Sequence, residues 1–336
     1  MIRKILFLVV IAIFFAACKD GGGKKSGPVE IPADATIEQL NSLLLQYPDD
    51  TGLLFERAKY YADIGIFNSA IDDMNKLIGL EPRNPDHYHY LADLYMDSAQ
   101  SRFAVFTMQK VIDMYPTRIQ SLLKLSEIYF IIREYDNSIE SINSILYLSP
   151  GNPEAYYMLG VNFKEINEYA KARNSFLTAV ERDANHTDSW IQLGLLAEEN
   201  KDEKAEIYYN NAIRSDTSSL EALHHLAFYY QEHNRMDDAL EIYRQMGIKS
   251  PGNASSFYNS GLIYLKLDSL ERAYENFTIV INTNRTNPRP YYYRGLVNFI
   301  IGDMEKAAND LEQALKLDPG FKEAEDKLKT IKAKKS

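Results

Sequence analysis

The chain of 336 residues holds one cysteine, one tryptophan, and 37 lysines and arginines against 47 aspartates and glutamates. The single thiol, Cys18, excludes an intrachain disulfide and any cysteine-rich metal cluster. A formal net charge of −10 excludes a broad nucleic-acid interface, because phosphate binding needs clustered lysine and arginine. The sequence carries no GxSxG elbow and no phosphate-binding glycine loop, and its histidines do not fall at metal-ligand spacing. His87 and His89, and likewise His224 and His225, point in different directions on a helix, so neither pair makes a site. No cofactor is expected, and no enzymatic activity. What is present, 46% hydrophobic and 25% charged residues, suits a folded chain and not a disordered one.

The chain starts with a basic pair, Arg3 and Lys4, followed by a charge-free apolar run over residues 5–17. Thirteen residues are too few to cross a hydrocarbon core of about 30 Å as a helix. Basic start, short apolar stretch and small residues before a break describe a secretory signal peptide over residues 1–17. The break, Phe15-Ala16-Ala17-Cys18, resembles the lipobox of bacterial lipoproteins, with Phe15 where that pattern prefers an aliphatic residue. The resemblance implies cleavage before Cys18 and acylation of that residue. Residues 18–35, rich in glycine and polar side chains, read as a lipidated flexible tether. Lys19-Asp20 is similar to the export signals of surface lipoproteins of the Bacteroidota. The expected location is the cell envelope, lipid-anchored in the outer membrane, with either face open.

A ruler of 34 residues runs through the rest. Pro48, Pro82, Pro116 and Pro150 keep that spacing, and Pro251 and Pro319 continue it. Registered on the proline, eight units span 51–84, 85–118, 119–152, 153–186, 187–219, 220–253, 254–287 and 288–321. Position 4 is always large: Leu54, Tyr88, Leu122, Tyr156, Trp190, Leu223, Phe257 and Tyr291. Position 8 is always small: Ala58, Ala92, Ser126, Gly160, Gly194, Ala227, Gly261 and Gly295. Position 20 is small as well, from Ala70 to Ala307, and position 24 is large again, as in Met74, Phe176 and Phe277. Unit five is one residue short between Gly194 and Ala205.

This period and pattern resemble the tetratricopeptide repeat family. The resemblance implies an all-α, right-handed superhelical solenoid of antiparallel helix pairs, with neighbours stacking because one hairpin cannot bury its own apolar face. Residues 36–50 read as an N-terminal half-repeat helix, residues 51–321 as eight repeats, and 322–336 as a capping helix with a basic tail.

In this family the first helices line a concave face through positions 2, 5, 9, 12 and 13. Carried onto this sequence, the groove residues are Tyr157, Lys164, Ile191, Glu198, His224, Phe228, Tyr258, Leu262, Tyr292, Leu296 and Phe299. The groove is mixed and acidic in its early repeats and increasingly aromatic toward the C-terminus. One subset of the family grips a C-terminal carboxylate with lysine at position 5; here that position reads Phe55, His89, Leu123, Tyr157, Ile191, His224, Tyr258 and Tyr292, so that mode is not expected. The function implied is a non-catalytic protein-binding scaffold or adaptor of the envelope, serving assembly, secretion or complex stabilisation. The alternative is a surface lipoprotein that binds a glycan or other small ligand through the aromatic C-terminal groove. The partners expected are one or more proteins and the membrane, through the lipid, but not nucleic acid.

Overall fold

The computed structural model describes residues 31–335 except Ala33, so the expected signal peptide, Cys18 and most of the tether lie outside the described residues. Every element among the described residues is an α-helix. The chain divides into two compact units, one ending at Val111 and the other running from Ile112 to Ser336.

The first unit holds α1 (Ile37–Gln46), α2 (Thr51–Asp63), α3 (Phe67–Leu80) and α4 (Pro85–Asp97), and α5 (Ser101–Met114) runs across the boundary. In the second unit the pairs are α6 (Ile119–Ile131) with α7 (Tyr135–Leu148), α8 (Pro153–Glu165) with α9 (Tyr169–Arg182), and α10 (Thr187–Glu199) with α11 (Ala205–Ser215). They continue as α12 (Leu220–Glu232) with α13 (Met236–Lys249), α14 (Ala254–Lys266) with α15 (Leu270–Thr283), and α16 (Pro288–Ile301) with α17 (Met304–Leu317). A final helix, α18 (Lys322–Lys335), packs on α17 through Ala324, Leu328 and Ile331.

Local chemistry sets each boundary. The last residue of a repeat caps the next first helix: the Asn84, Asn152, Ser219, Asn253 and Asn287 side chains all accept a backbone N–H of the following turn. Such caps satisfy donors that the helix itself leaves open. The turn inside the hairpin is equally regular. Position 15 has a positive φ in all eight repeats, at Gly65, Ala99, Arg133, Asn167, Lys201, Asn234, Asp268 and Gly302. The next residue's N–H then reaches back five residues, as from Ile66 to the Tyr61 carbonyl at 2.7 Å and from Glu168 to Phe163 at 2.8 Å. A left-handed residue there closes the first helix and turns the chain toward the second.

The small residues at position 8 have a specific cause. A Cβ built on Gly160 would lie 2.6 Å from Phe176 Cδ1, one on Gly194 the same distance from Tyr209 Cδ1, and one on Gly261 2.8 Å from Phe277 Cε1. Glycine at position 8 therefore makes room for the ring at position 24 of the same hairpin, which lets the two helices approach closely. The deletion in repeat five is absorbed at the start of α11, which begins only at Ala205 and leaves Ala205 and Tyr209 fully buried. Position 4 carries a second device. The Tyr88, Tyr156 and Tyr291 hydroxyls and the Trp190 indole each donate to the backbone carbonyl six residues earlier, at 2.9, 3.1, 3.4 and 2.9 Å.

Two repeats hold a polar clasp at position 7, where five others have leucine. Arg57 donates to both carboxylate oxygens of Asp73, at 2.8 and 2.7 Å, and to Asn41 at 2.8 Å. Arg294 repeats the geometry with Asp310 at 3.0 and 2.7 Å and reaches Thr278 at 3.2 Å. Each arginine thus joins its own hairpin to the preceding second helix.

Candidate functional site

In the second unit the first helices also touch one another, α10 against α12 and α14 against α16. The surface they make is the candidate interface. Positions 2, 9 and 13 lie on one helix face, and the outer two are about 16 Å apart at the helical rise per residue. Along position 9 run Val161, Leu195, Phe228, Leu262 and Leu296, all partly exposed, with Phe228 the most open at 43%. On one side stand the exposed carboxylates Glu154, Asp188 and Glu221, and on the other Glu165, Glu199 and Glu232. The sign then changes, with exposed Lys266 and Arg289 in the last two repeats. An apolar strip is therefore bounded by acid on both sides across repeats four to six.

Position 5 forms a half-buried shelf beside the strip. The Tyr157 ring lies 5.1 Å from His186 and 5.9 Å from Phe176. Burial, reinforced by Asp188 and Glu154, pushes its phenol up to about 12. His224 sits 6.1 Å from His225, and burial holds both imidazoles below their usual range, hence neutral at pH 7. Tyr258 meets Tyr293 edge-on at 5.8 Å, and burial pushes its phenol up to about 12. Tyr292 packs 5.0 Å from Phe321.

Ile191 does not belong to this surface. It is 1% exposed and packs with Ala212 and Ala222, because helix approach at repeats five and six closes over it. Phe299 is covered from the side, with Lys327 of α18 4.7 Å from its ring centre. Two other groove residues are tied up in hydrogen bonds: Lys164 donates to Gln192 at 2.9 Å, and Glu198 accepts the Tyr209 hydroxyl at 2.7 Å.

His224, Tyr258 and Leu262 are brought to neighbouring first helices, and the first two share a cleft of about 240 Å³ with Ser255, Asn259, Asn287 and Arg289. Asn259 is an addition to the expected groove positions, whereas Arg289 stands at position 2 of the last repeat, one of the positions expected to line the groove. The Tyr209–His225 stack, at 5.8 Å and 8°, was not legible, since it joins residues from different repeats. Among the described residues no group of three or more His, Cys, Asp or Glu side chains is placed to hold a metal, and no helix is long and apolar enough to cross a membrane.

Comparison with known proteins fits this geometry. Sequence profiles described as tetratricopeptide repeat match residues 157–219 and 288–321. The chain carries tetratricopeptide repeats. It is 33% identical over 84 residues to Hsc70-interacting protein 1 of Drosophila melanogaster, covering 25% of this chain and 22% of that protein. Over 278 residues it is 23% identical to the TPR repeat-containing protein MJ1428 of Methanocaldococcus jannaschii, covering 77% of this chain and 43% of that one. Over 142 residues it is 28% identical to the general transcriptional corepressor ssn6 of Schizosaccharomyces pombe, covering 41% of this chain and 13% of that protein. The chain thus spans less than half the length of each of these relatives. Among solved structures, MamA aligns at 23% identity and a TM-score of 0.42, covering 49% of this chain and 97% of that one. The Cut9-Hcn1 hetero-tetramer of the APC/C aligns at 16% identity and a TM-score of 0.48, covering 88% of this chain and 58% of that one.

Proposed function

We propose that this chain is a non-catalytic scaffold of the bacterial cell envelope, lipid-anchored at Cys18 in the outer membrane, that binds a protein partner along its first-helix face. The observation that carries the binding role is the strip of Val161, Leu195 and Phe228, bounded by Glu154, Asp188 and Glu221 on one side and Glu165, Glu199 and Glu232 on the other. An apolar strip supplies contact area, and flanking charge of one sign selects a partner of the other. The complementary segment has apolar residues along its middle and lysine or arginine on both sides. One relative is named for an interaction with Hsc70, which supports a partner-binding role without identifying the partner here.

The anchoring part rests on Phe15-Ala16-Ala17-Cys18 and the polar tether after it. Two or more acyl chains on one cysteine give durable membrane attachment. Within the first-helix groove a small ligand is disfavoured by size, since the cleft at His224 and Tyr258 is about 240 Å³ and small-ligand pockets are usually about 300–1,000 Å³.

The test is a crosslinking pull-down from native envelopes, comparing the parent with a Glu165→Gln, Glu199→Gln, Glu232→Gln variant. A partner captured by the parent, lost at high salt and depleted in the variant is the expected result. An identical partner set in both would remove the acidic flank from the account. A Cys18→Ser variant should leave the membrane fraction, and its retention there would refute the anchor.

A further inference from the structure

Repeats six and seven break the pattern at two positions that meet in space. Position 28 is aliphatic in the seven other repeats, with Ile213 and Ile281 on either side, but here it is Gly247. Position 7 is a buried leucine in five repeats, as at Leu193 and Leu226, but here it is Ser260. Both small residues line one cleft of about 470 Å³ between α13 and α14, walled by Leu240, Tyr243, Phe257 and Tyr264. Side chains that fill the joint between neighbouring hairpins elsewhere are missing here from both walls.

The wall at position 4 is held by packing, as it is in the three repeats with leucine there, Leu54, Leu122 and Leu223. The tyrosines and tryptophan at position 4 are fastened by a hydrogen bond to a carbonyl six residues earlier. Phe257 has no group to donate, so its ring is held by packing alone. The ring stands 3.2 Å from where a Cβ on Gly247 would be, so it closes over the gap that glycine leaves. On the rim, Glu241 is engaged by Arg244 at 2.7 and 2.8 Å, while Asp237 is exposed and makes no ion pair among the described residues. Ile248, 65% exposed, also lines the cleft. Ser260 and Tyr264 stand about 200° around the helix from Leu262 and Lys266, respectively, so this site faces away from the first-helix surface.

We propose that this outer cleft is a second binding site, which takes one large apolar side chain, leucine or phenylalanine, from a partner polypeptide with a lysine or arginine beside it. The apolar occupant follows from the lining of Leu240, Tyr243, Phe257 and Tyr264. The cation follows from Asp237, the carboxylate at the rim left without a counter-charge. This site is independent of the first-helix face, and either could fail without the other.

The probes are three labelled peptides with central Lys-Phe-Lys, Glu-Phe-Glu and Lys-Ala-Lys, titrated against the purified protein by fluorescence anisotropy. Saturable binding of Lys-Phe-Lys, at least tenfold tighter than either other peptide, is expected. Gly247→Ile restores the residue type of the other repeats and should weaken that binding tenfold or more, and its thermal melt reports whether the Phe257 ring, 3.2 Å from the new Cβ, gives way. Asp237→Asn should weaken it about threefold, as loss of one exposed charge pair does. If Gly247→Ile melts lower than the parent, Ser260→Leu is the second occluding variant and should give the same loss of binding. Equal affinity of Lys-Phe-Lys for the parent and for a folded occluded variant overturns the site, and so does equal binding of the glutamate peptide or no saturable binding of Lys-Phe-Lys.

Discussion

Replacing Gly160 with alanine adds one methyl group where the structure has no room for it. That carbon would sit 2.6 Å from Phe176 Cδ1 and 2.8 Å from Cζ, inside ordinary van der Waals contact. The ring is fully buried, with Tyr157 at 5.9 Å beside it, so it cannot swing away cheaply. Overpacking of this kind costs about 1–3 kcal/mol. Gly→Ala inside a helix returns about 1 kcal/mol of propensity, and because contacts of 2.6 Å to a buried ring belong at the upper end of that range the net loss is about 1–2 kcal/mol. Repeats one and two show the compensation: Ala58 and Ala92 stand at position 8 where Met74 and Met108, unbranched and adaptable, take position 24. Ala227 opposite Tyr243 shows that an aromatic ring alone is not the obstacle; the spacing of α8 and α9 that glycine permits is the constraint. Gly160→Ala should therefore speed hydrogen exchange in α8 and α9 and lower the thermal midpoint, and adding Phe176→Met should recover most of the loss. A Gly160→Ala protein as stable as the parent would refute the close-approach argument.

Three further perturbations follow from the structure. Asp310→Ala leaves the largely buried Arg294 without its counter-charge and should cost about 3–5 kcal/mol. The double change Arg294→Leu with Asp310→Ser copies the leucine and serine of repeats three and four and should recover part of that loss in urea unfolding, the remainder being held by the buried Asn298 amide that donates to Asp310 at 3.1 Å. Ala99→Gly relieves a positive φ of 59° at an exposed turn and should raise stability by about 0.5–1 kcal/mol, read as a higher thermal midpoint. Burial holds His224 and His225 below the usual histidine range, so their neutral forms contribute stability that is present above about pH 6.5 and lost as pH falls through the folded values. His186 runs the other way: burial opposes its charge, but Glu154 at 3.3 Å outweighs it, so that contribution is full below about pH 6.5 and lost as pH rises through the folded value. Glu154→Gln should thus destabilise more at about pH 5 than at about pH 8, whereas a His224→Gln, His225→Gln variant should lose less stability than the parent on acidification.

The helical hairpins were legible because the pattern repeats: large at position 4, small at 8 and 20, large at 24. The left-handed turn at position 15 was equally present, since Gly65, Asn167, Asn234, Asp268 and Gly302 are residue types that tolerate it, but Ala99, Arg133 and Lys201 hid the column. The arginine clasps had a signal too, an arginine at position 7 where five repeats have leucine, yet its partner at position 23 could be identified only from the packing. The groove was legible as positions and not as exposures. Position 5 marks a direction on one helix, and whether Ile191 is open or Tyr157 half-covered depends on how closely the next hairpin lies. The Gly247 cleft needed both, because a glycine in a column of aliphatic residues becomes a cavity only if the neighbouring column has also lost its leucine.

A protein partner seated on the first-helix face of the second unit, as proposed, can be trapped there covalently. A benzophenone photocrosslinker placed at Phe228, 43% exposed in the middle of the apolar strip, tests it most directly when compared in native envelopes with the same group at Tyr147, 88% exposed on a second helix. A discrete protein adduct is expected from position 228, weakened when Glu165, Glu199 and Glu232 are changed to glutamine, and none of that adduct from position 147. The same adduct from position 147, or no protein adduct from position 228, would contradict it.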